Sequence, residues 1–146
     1  MKKNLAIICI ALAIAFADQL TKFLIRANFA LNESVTMIGN LLHFTYITNT
    51  GTAFGLFKGV NIVFILFSIV VIFGIFYASG RIKEKQRLMI FSLALLLGGT
   101  IGNLIDRILL GAVTDFIDFR IWPVFNIADS AVTISVAILI VLLWRE

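Results

Sequence analysis

Cysteine, proline and histidine each occur once in this chain, and only 14% of its residues are charged. A single thiol, Cys9, leaves no partner for an internal disulfide and no thiolate cluster for a metal. It lies inside an apolar run with nothing ionisable near it in sequence, the setting of a small apolar side chain rather than of a nucleophile. The single histidine, His43, has no companions at metal-ligand spacing and reads as a surface strand residue. There is no GxSxG or Walker pattern, no HExxH and no cysteine–histidine cluster, and Ser130 has no histidine or lysine placed as its base. The usual templates for serine, cysteine and metal-dependent hydrolysis and for nucleotide binding are therefore excluded. Neither a metal nor a cofactor is expected. The only proline, Pro123, falls in the stretch on which the rest of the reading turns, residues 111–130.

The shortage of charge sets the class. Soluble domains are about 25% charged and about 45–50% apolar. Here 61% of the 146 residues are hydrophobic, and the mean hydropathy is +1.07. A net charge of +4 and a pI near 9.6 could suggest nucleic acid. The basic residues, however, stand at the ends of apolar runs, as membrane topology requires, so no nucleic-acid partner is expected. The length suits one compact unit over residues 1–146.

Taken in order, the chain predicts four transmembrane helices. Residues 2–17 resemble a signal peptide, but the apolar pattern resumes at Leu20, Phe23, Leu24 and Ile25, which predicts a retained helix over about residues 4–27. A span needs about 20 residues, so Asp18 must lie inside this helix near its far end, with Lys22 one turn on and on the same face. Residues 28–59 alternate at Leu42, Phe44 and Tyr46 and are rich in glycine and asparagine, which predicts a small β-cradle on the membrane surface. Further helices follow at about 60–79, 88–107 and 127–144, with residues 108–129 read as a loop. Arg81, Lys83, Lys85 and Arg87 mark the second connection as cytoplasmic. Both termini are then cytoplasmic, and Asp18, Asn103, Asp106, Arg107 and Asp129 all fall at the extracytoplasmic ends of their helices, beside the outer connections that hold Asn49 and Asp115.

Carboxylates at the margin of a membrane helix are costly and imply a function. Two of them, Asp115 and Asp129, could share one proton in a partly dry site. The ionised member would take a proton from water while the neutral one hydrogen-bonds a carbonyl group. The plain alternative is that Asp129 caps the fourth helix and Asp115 forms a turn. Spacing alone leaves this open, and it leaves Asp118 open as a competitor for the first position. Gly98, Gly99 and Gly102 allow close helix packing, with Asn103, Asp106 and Arg107 on one face just beyond them. Arg107 reads as a fixed cation beside the carboxylates.

Five motifs in order resemble lipoprotein signal peptidase, also called signal peptidase II. They are DQLTK (18–22), NTGTAF (49–54), GGTIGNLIDR (98–107), GAVTDFI (111–117) and FNIAD (125–129). The resemblance implies an aspartyl endopeptidase of the bacterial cytoplasmic membrane with catalytic Asp115 and Asp129. Asp18, Lys22, Asn49, Gly51, Asn103, Arg107 and Asn126 would support the site or bind substrate. The implied substrate is a prolipoprotein carrying a diacylglyceryl-cysteine, met within membrane lipid and cut just before that cysteine without a metal, and globomycin-type peptides are the implied inhibitors. A mobile outer loop, suggested by the glycines flanking residues 49–57, would cover the dyad. The competing class is a small proton-coupled membrane transporter using the same acids as a relay. Such proteins place their acids near the midplane and often carry internal repeats; here the acids sit at one edge and no repeat is present.

Overall fold

The computed structural model describes residues 2–39, 41–51, 61–84 and 86–144. The elements run α1 (Lys2–Asn28), β1 (Ser34–Ile38), β2 (Leu42–Asn49), α2 (Asn61–Arg81), α3 (Arg87–Leu109), β3 (Val113–Asp118) and α4 (Ile127–Trp144). All four helices are long and apolar enough to cross a membrane. Residues 52–54 of the second motif, the glycines at 55 and 59 with most of the outer loop expected to be mobile, Lys85 of the basic connection and Arg145 lie outside the described residues.

α3 is the central post. Of its apolar span 61% is buried within the bundle, against 17% for α2 and for α4, so α3 meets protein on most sides while α2 and α4 turn large side chains such as Phe67, Val70, Phe73 and Ile140 outward. Burying apolar side chains against one another gains little when the alternative is lipid, so contacts in such a bundle depend on close backbone approach. The small residues of α3 provide it. A β-carbon on Gly98 would stand 2.7 Å from the Ala11 carbonyl of α1, and one on Gly99 would stand 2.5 Å from the Ala128 carbonyl of α4. Lower down, Ser92 and Ser135 each donate a hydroxyl to the other's carbonyl, at 3.0 and 2.8 Å, fastening α3 to α4. Beyond this lies an apolar core of Ile7, Ala11, Ile75, Ile90, Leu93, Ala94 and Leu97. Cys9 is on the outer face of α1. At the end of the bundle that holds the α2–α3 connection, Lys3 donates to the Ile82 carbonyl.

The β-cradle is larger than its sequence outline. β1 and β2 form the hairpin expected between the first two helices, but a third strand joins them from the far side of α3. β3 pairs antiparallel with β2, Ile47 facing Asp115 and Asn49 facing Val113, so residues 108–129 are not simply a loop. Val113, Thr114, Phe116 and Ile117 are good strand formers, but Asp115 among them and Asp118 after them are poor ones and mask the strand in the sequence. An extra residue in β2 between Phe44 and Ile47 interrupts the register. His43, expected at the surface, is instead buried, and its Nδ1 has no hydrogen-bond partner among the described residues. It stands opposite Asp118 on β3 in the register of the sheet.

Candidate active site

The polar ends of α1, α3 and α4 meet at the opposite end of the bundle from Lys3, beneath the sheet. Two backbone features bring Asp115 to them. α3 ends at Leu109, and Gly111 takes the left-handed conformation (φ +76°) that turns the chain into β3. The strand is then tied across to Phe125, whose N–H and carbonyl bond Ile117 at 3.1 and 2.8 Å. Asn126, the next residue, is thereby held against Asp115 and stands immediately before α4.

Asn126 and Asp129 form a reciprocal cap. The Asp129 N–H donates to Asn126 Oδ1 at 2.8 Å, and the Asn126 N–H donates to Asp129 Oδ2 at 3.3 Å. This is the capping-box arrangement with asparagine and aspartate in the two roles. Asp129 thus belongs to a helix cap, as the plain alternative supposed, yet it remains half-exposed at the mouths of two cavities. The Asn126 amide reaches the other way and donates to Asp115 Oδ1 at 2.6 Å and to Asn103 Oδ1 at 3.1 Å. Asn103 donates its own amide to Asp129 Oδ1 at 2.7 Å. Asp115 Oδ2 accepts from Asn49 at 3.1 Å, and Asn49 Oδ1 accepts the Gly51 N–H at 3.1 Å. One pair of asparagine amides therefore holds both acids, and the Asn49–Gly51 turn holds the buried one from above.

Burial pushes Asp115 up to about 7, and the charge of Asp129 adds to the effect against the hydrogen bonds from Asn49 and Asn126. Asp118 behaves oppositely. Burial would raise it, but the Thr45 hydroxyl at 2.7 Å, the Arg120 N–H at 2.8 Å and the Arg120 guanidinium hold it below the usual carboxylate value. Three positions apart on a strand, the two acids fall on opposite faces. Asp118 therefore joins Thr45, Ser34 and Arg120, while Asp115 joins the asparagines.

Beneath the amides lies a buried ionic cluster. Lys22 is fully buried, 2.8 Å from Asp18 and 3.5 Å from Asp106, and donates to Asn103 Oδ1 at 2.9 Å. Asp18 accepts the Ala128 N–H at 2.9 Å, so a carboxylate from α1 sits at the N-terminus of α4. Asp106 accepts the Thr114 N–H at 2.8 Å and the Gln19 amide at 3.0 Å, linking α3 to β3 and α1. Gln19, Arg26 and Thr114 were missed as members of this network. Arg26 donates to the Thr114 hydroxyl at 3.0 Å and lies 3.8 Å from Asp106; the spacing of Asp18, Lys22 and Arg26, four apart on one helix face, was the available signal. Arg107 stands apart from the cluster. It stacks over Phe64 and lines, with Thr100, Asn103 and Asp129, a cavity of about 410 Å³ between α2, α3 and α4. A second cavity of about 420 Å³, lined by Trp122, Phe125, Thr133 and Ile134 among others, reaches Asp129 from the other side. Among the described residues no cluster of three or more His, Cys, Asp or Glu has the arrangement of a metal site.

The family model described as signal peptidase (SPase) II matches residues 10–145. A lipoprotein signal peptidase of Desulfitobacterium hafniense is 44% identical over 142 residues, covering 96% of this chain and 94% of the relative. Another, of Moorella thermoacetica, is 47% identical over 130 residues, covering 89% and 87%. Two solved structures described as bacterial membrane enzymes superpose with TM-scores of 0.87 and 0.86, each at 35% identity, covering 95% and 96% of this chain and 87% and 93% of theirs.

Proposed function

Because the chain belongs to the signal peptidase II family and is a multi-pass bacterial membrane peptidase, we propose that it removes the signal peptide of prolipoproteins. The bond cut is the one before a diacylglyceryl-modified cysteine, and the agent is a water activated by Asp115 and Asp129. The observation that carries this reading is the shared support of the two acids, with Asn126 and Asn103 bonding one another and each bonding a different member of the pair.

Two carboxyl groups so supported, one of them buried, hold a single proton between them more readily than two charges. The ionised member draws a proton from water as that water attacks the scissile carbonyl carbon, and the neutral member donates a hydrogen bond to the carbonyl oxygen. As the tetrahedral intermediate collapses, the proton taken from water passes to the leaving amine. Each turnover returns the pair to its one-proton state. Asn49, Asn103 and Asn126 fix the carboxyl planes so that little reorganisation is needed during reaction. Gly51 supports Asn49, and Asp18, Lys22 and Asp106 support the amides from below. Arg107 faces the cavity of about 410 Å³ that opens on Asp129. The apolar lining of both cavities suits a substrate that is apolar on either side of its scissile bond, a signal helix on one flank and lipid chains on the other. The dyad lies at the extracytoplasmic face, both termini being cytoplasmic, and globomycin-type peptides would compete for the same space.

The test is cleavage of a diacylglyceryl-modified prolipoprotein by the purified protein in detergent. Wild type is expected to cut before the lipidated cysteine. Asp115→Asn and Asp129→Asn, each folded by melting and gel filtration, are expected to lose activity by at least about a thousandfold. Near-normal turnover in either variant would remove that carboxylate from the chemistry.

A further inference from the structure

A fully buried lysine in a membrane helix is expensive and calls for an explanation beyond charge balance. Lys22 has three ammonium protons and three acceptors around it: Asp18 Oδ2 at 2.8 Å, Asn103 Oδ1 at 2.9 Å and Asp106 Oδ2 at 3.5 Å. Two of these balance charge. The third does not, since the Asn103 amide is neutral.

What the third contact does follows from the chemistry of an amide. Asn103 Oδ1 accepts from Lys22 and from Asn126, while its Nδ2 donates to Asp129 Oδ1. Turning the amide over would set its –NH₂ against an ammonium and a second –NH₂, and its oxygen against a carboxylate oxygen. Three hydrogen bonds would become three repulsions. Without Lys22 the oxygen keeps only the 3.1 Å bond from Asn126, and that same Asn126 amide is engaged at 2.6 Å by Asp115. Resting on the dyad reading above, we infer that Lys22 is a positioning residue for Asp129, acting through the orientation it imposes on Asn103. The ammonium never reaches the substrate; it decides which end of the Asn103 amide the catalytic carboxylate meets.

A lysine that only neutralised Asp18 and Asp106 would affect folding without regard to Asn103, so the test is a double-mutant cycle on prolipoprotein cleavage, scored per folded molecule. Lys22→Met is expected to lower kcat by on the order of tenfold to a hundredfold, the scale of a displaced catalytic group, with KM within about twofold. In an Asn103→Ala background, whose own kcat is already reduced, the same substitution is expected to change kcat by less than about twofold. Should Lys22→Met not fold, the charge-balanced pair Asp18→Asn with Lys22→Met replaces it, measured against Asp18→Asn alone. A wild-type kcat in the lysine variant, or the same loss whether or not Asn103 is present, would overturn the inference while leaving the dyad intact. A wild type that cleaves no lipidated prolipoprotein would overturn the underlying reading itself.

Discussion

At the scale of single residues, the two acids differ in their surroundings although the sequence writes them alike. Asp115 is buried between the Asn49 and Asn126 amides, whereas Asp129 is half-exposed and lines two cavities. With Asp115 pushed up to about 7 by burial and by its neighbour's charge, the proton that the proposed dyad needs is present below that pH and is lost as pH rises through it. kcat/KM is therefore expected to fall on the alkaline side with an apparent pKa near 7, a value that belongs to the pair. The Asn49 amide favours the ionised form of Asp115, so Asn49→Ala should move that limb to higher pH. A pH–rate profile of the two proteins checks the sign: an unmoved limb, or one displaced to lower pH, would show that Asn49 does not favour the ionised form of Asp115. The competitor Asp118 could not be separated from Asp115 by spacing, because their being on opposite faces depends on β3, a strand that these two acids themselves mask.

At the scale of elements, α3 brings its neighbours close through the absence of side chains. A β-carbon on Gly102 would stand 2.6 Å from Asp18 Oδ2, and one on Gly99 would stand 2.5 Å from a backbone oxygen of α4. Backbone has nowhere to retreat, so Gly99→Ala is expected to destabilise the fold by about 1–3 kcal/mol. Gly102→Ala should disturb the Asp18–Lys22 pair and reduce activity as well. Gly74 of α2 has nothing within 4 Å, and Gly74→Ala should be neutral or slightly stabilising, since alanine is the better helix former. Thermal melting in detergent ranks the three; equal effects at Gly74 and Gly99 would contradict close packing of α3 on α4. The close-packing role of these glycines was legible in their spacing. Which helix each one met was not.

For the whole molecule, the distribution of polar groups between the two ends fixes an expected orientation. The basic connection and Lys3 share one end, while the asparagines, the acids and the sheet share the other. The Phe119–Phe125 segment there presents Ile121, 90% exposed, and Trp122, 68% exposed, side chains suited to the membrane interface. In a Cys9→Ser background, Ile121→Cys is expected to react with an impermeant thiol reagent added outside intact cells, and Lys83→Cys only after lysis. The reverse pattern would invert the proposed topology.

The sequence by itself determined the spans, their number and the end of the bundle at which polar residues gather, because hydropathy and charge act locally and a membrane leaves few ways to satisfy them. It also carried the motifs from which the family is recognised. Only the tertiary structure decided that Asp115 sits on a strand, that His43 is buried opposite Asp118 in the same sheet, and that Asn103 and Asn126 divide the two acids between them while Lys22 donates to the first amide. Those are pairings between groups up to 81 residues apart, as between Lys22 and Asn103. Hydrogen-bond direction and strand register depend on which partner stands opposite, and no local pattern records that.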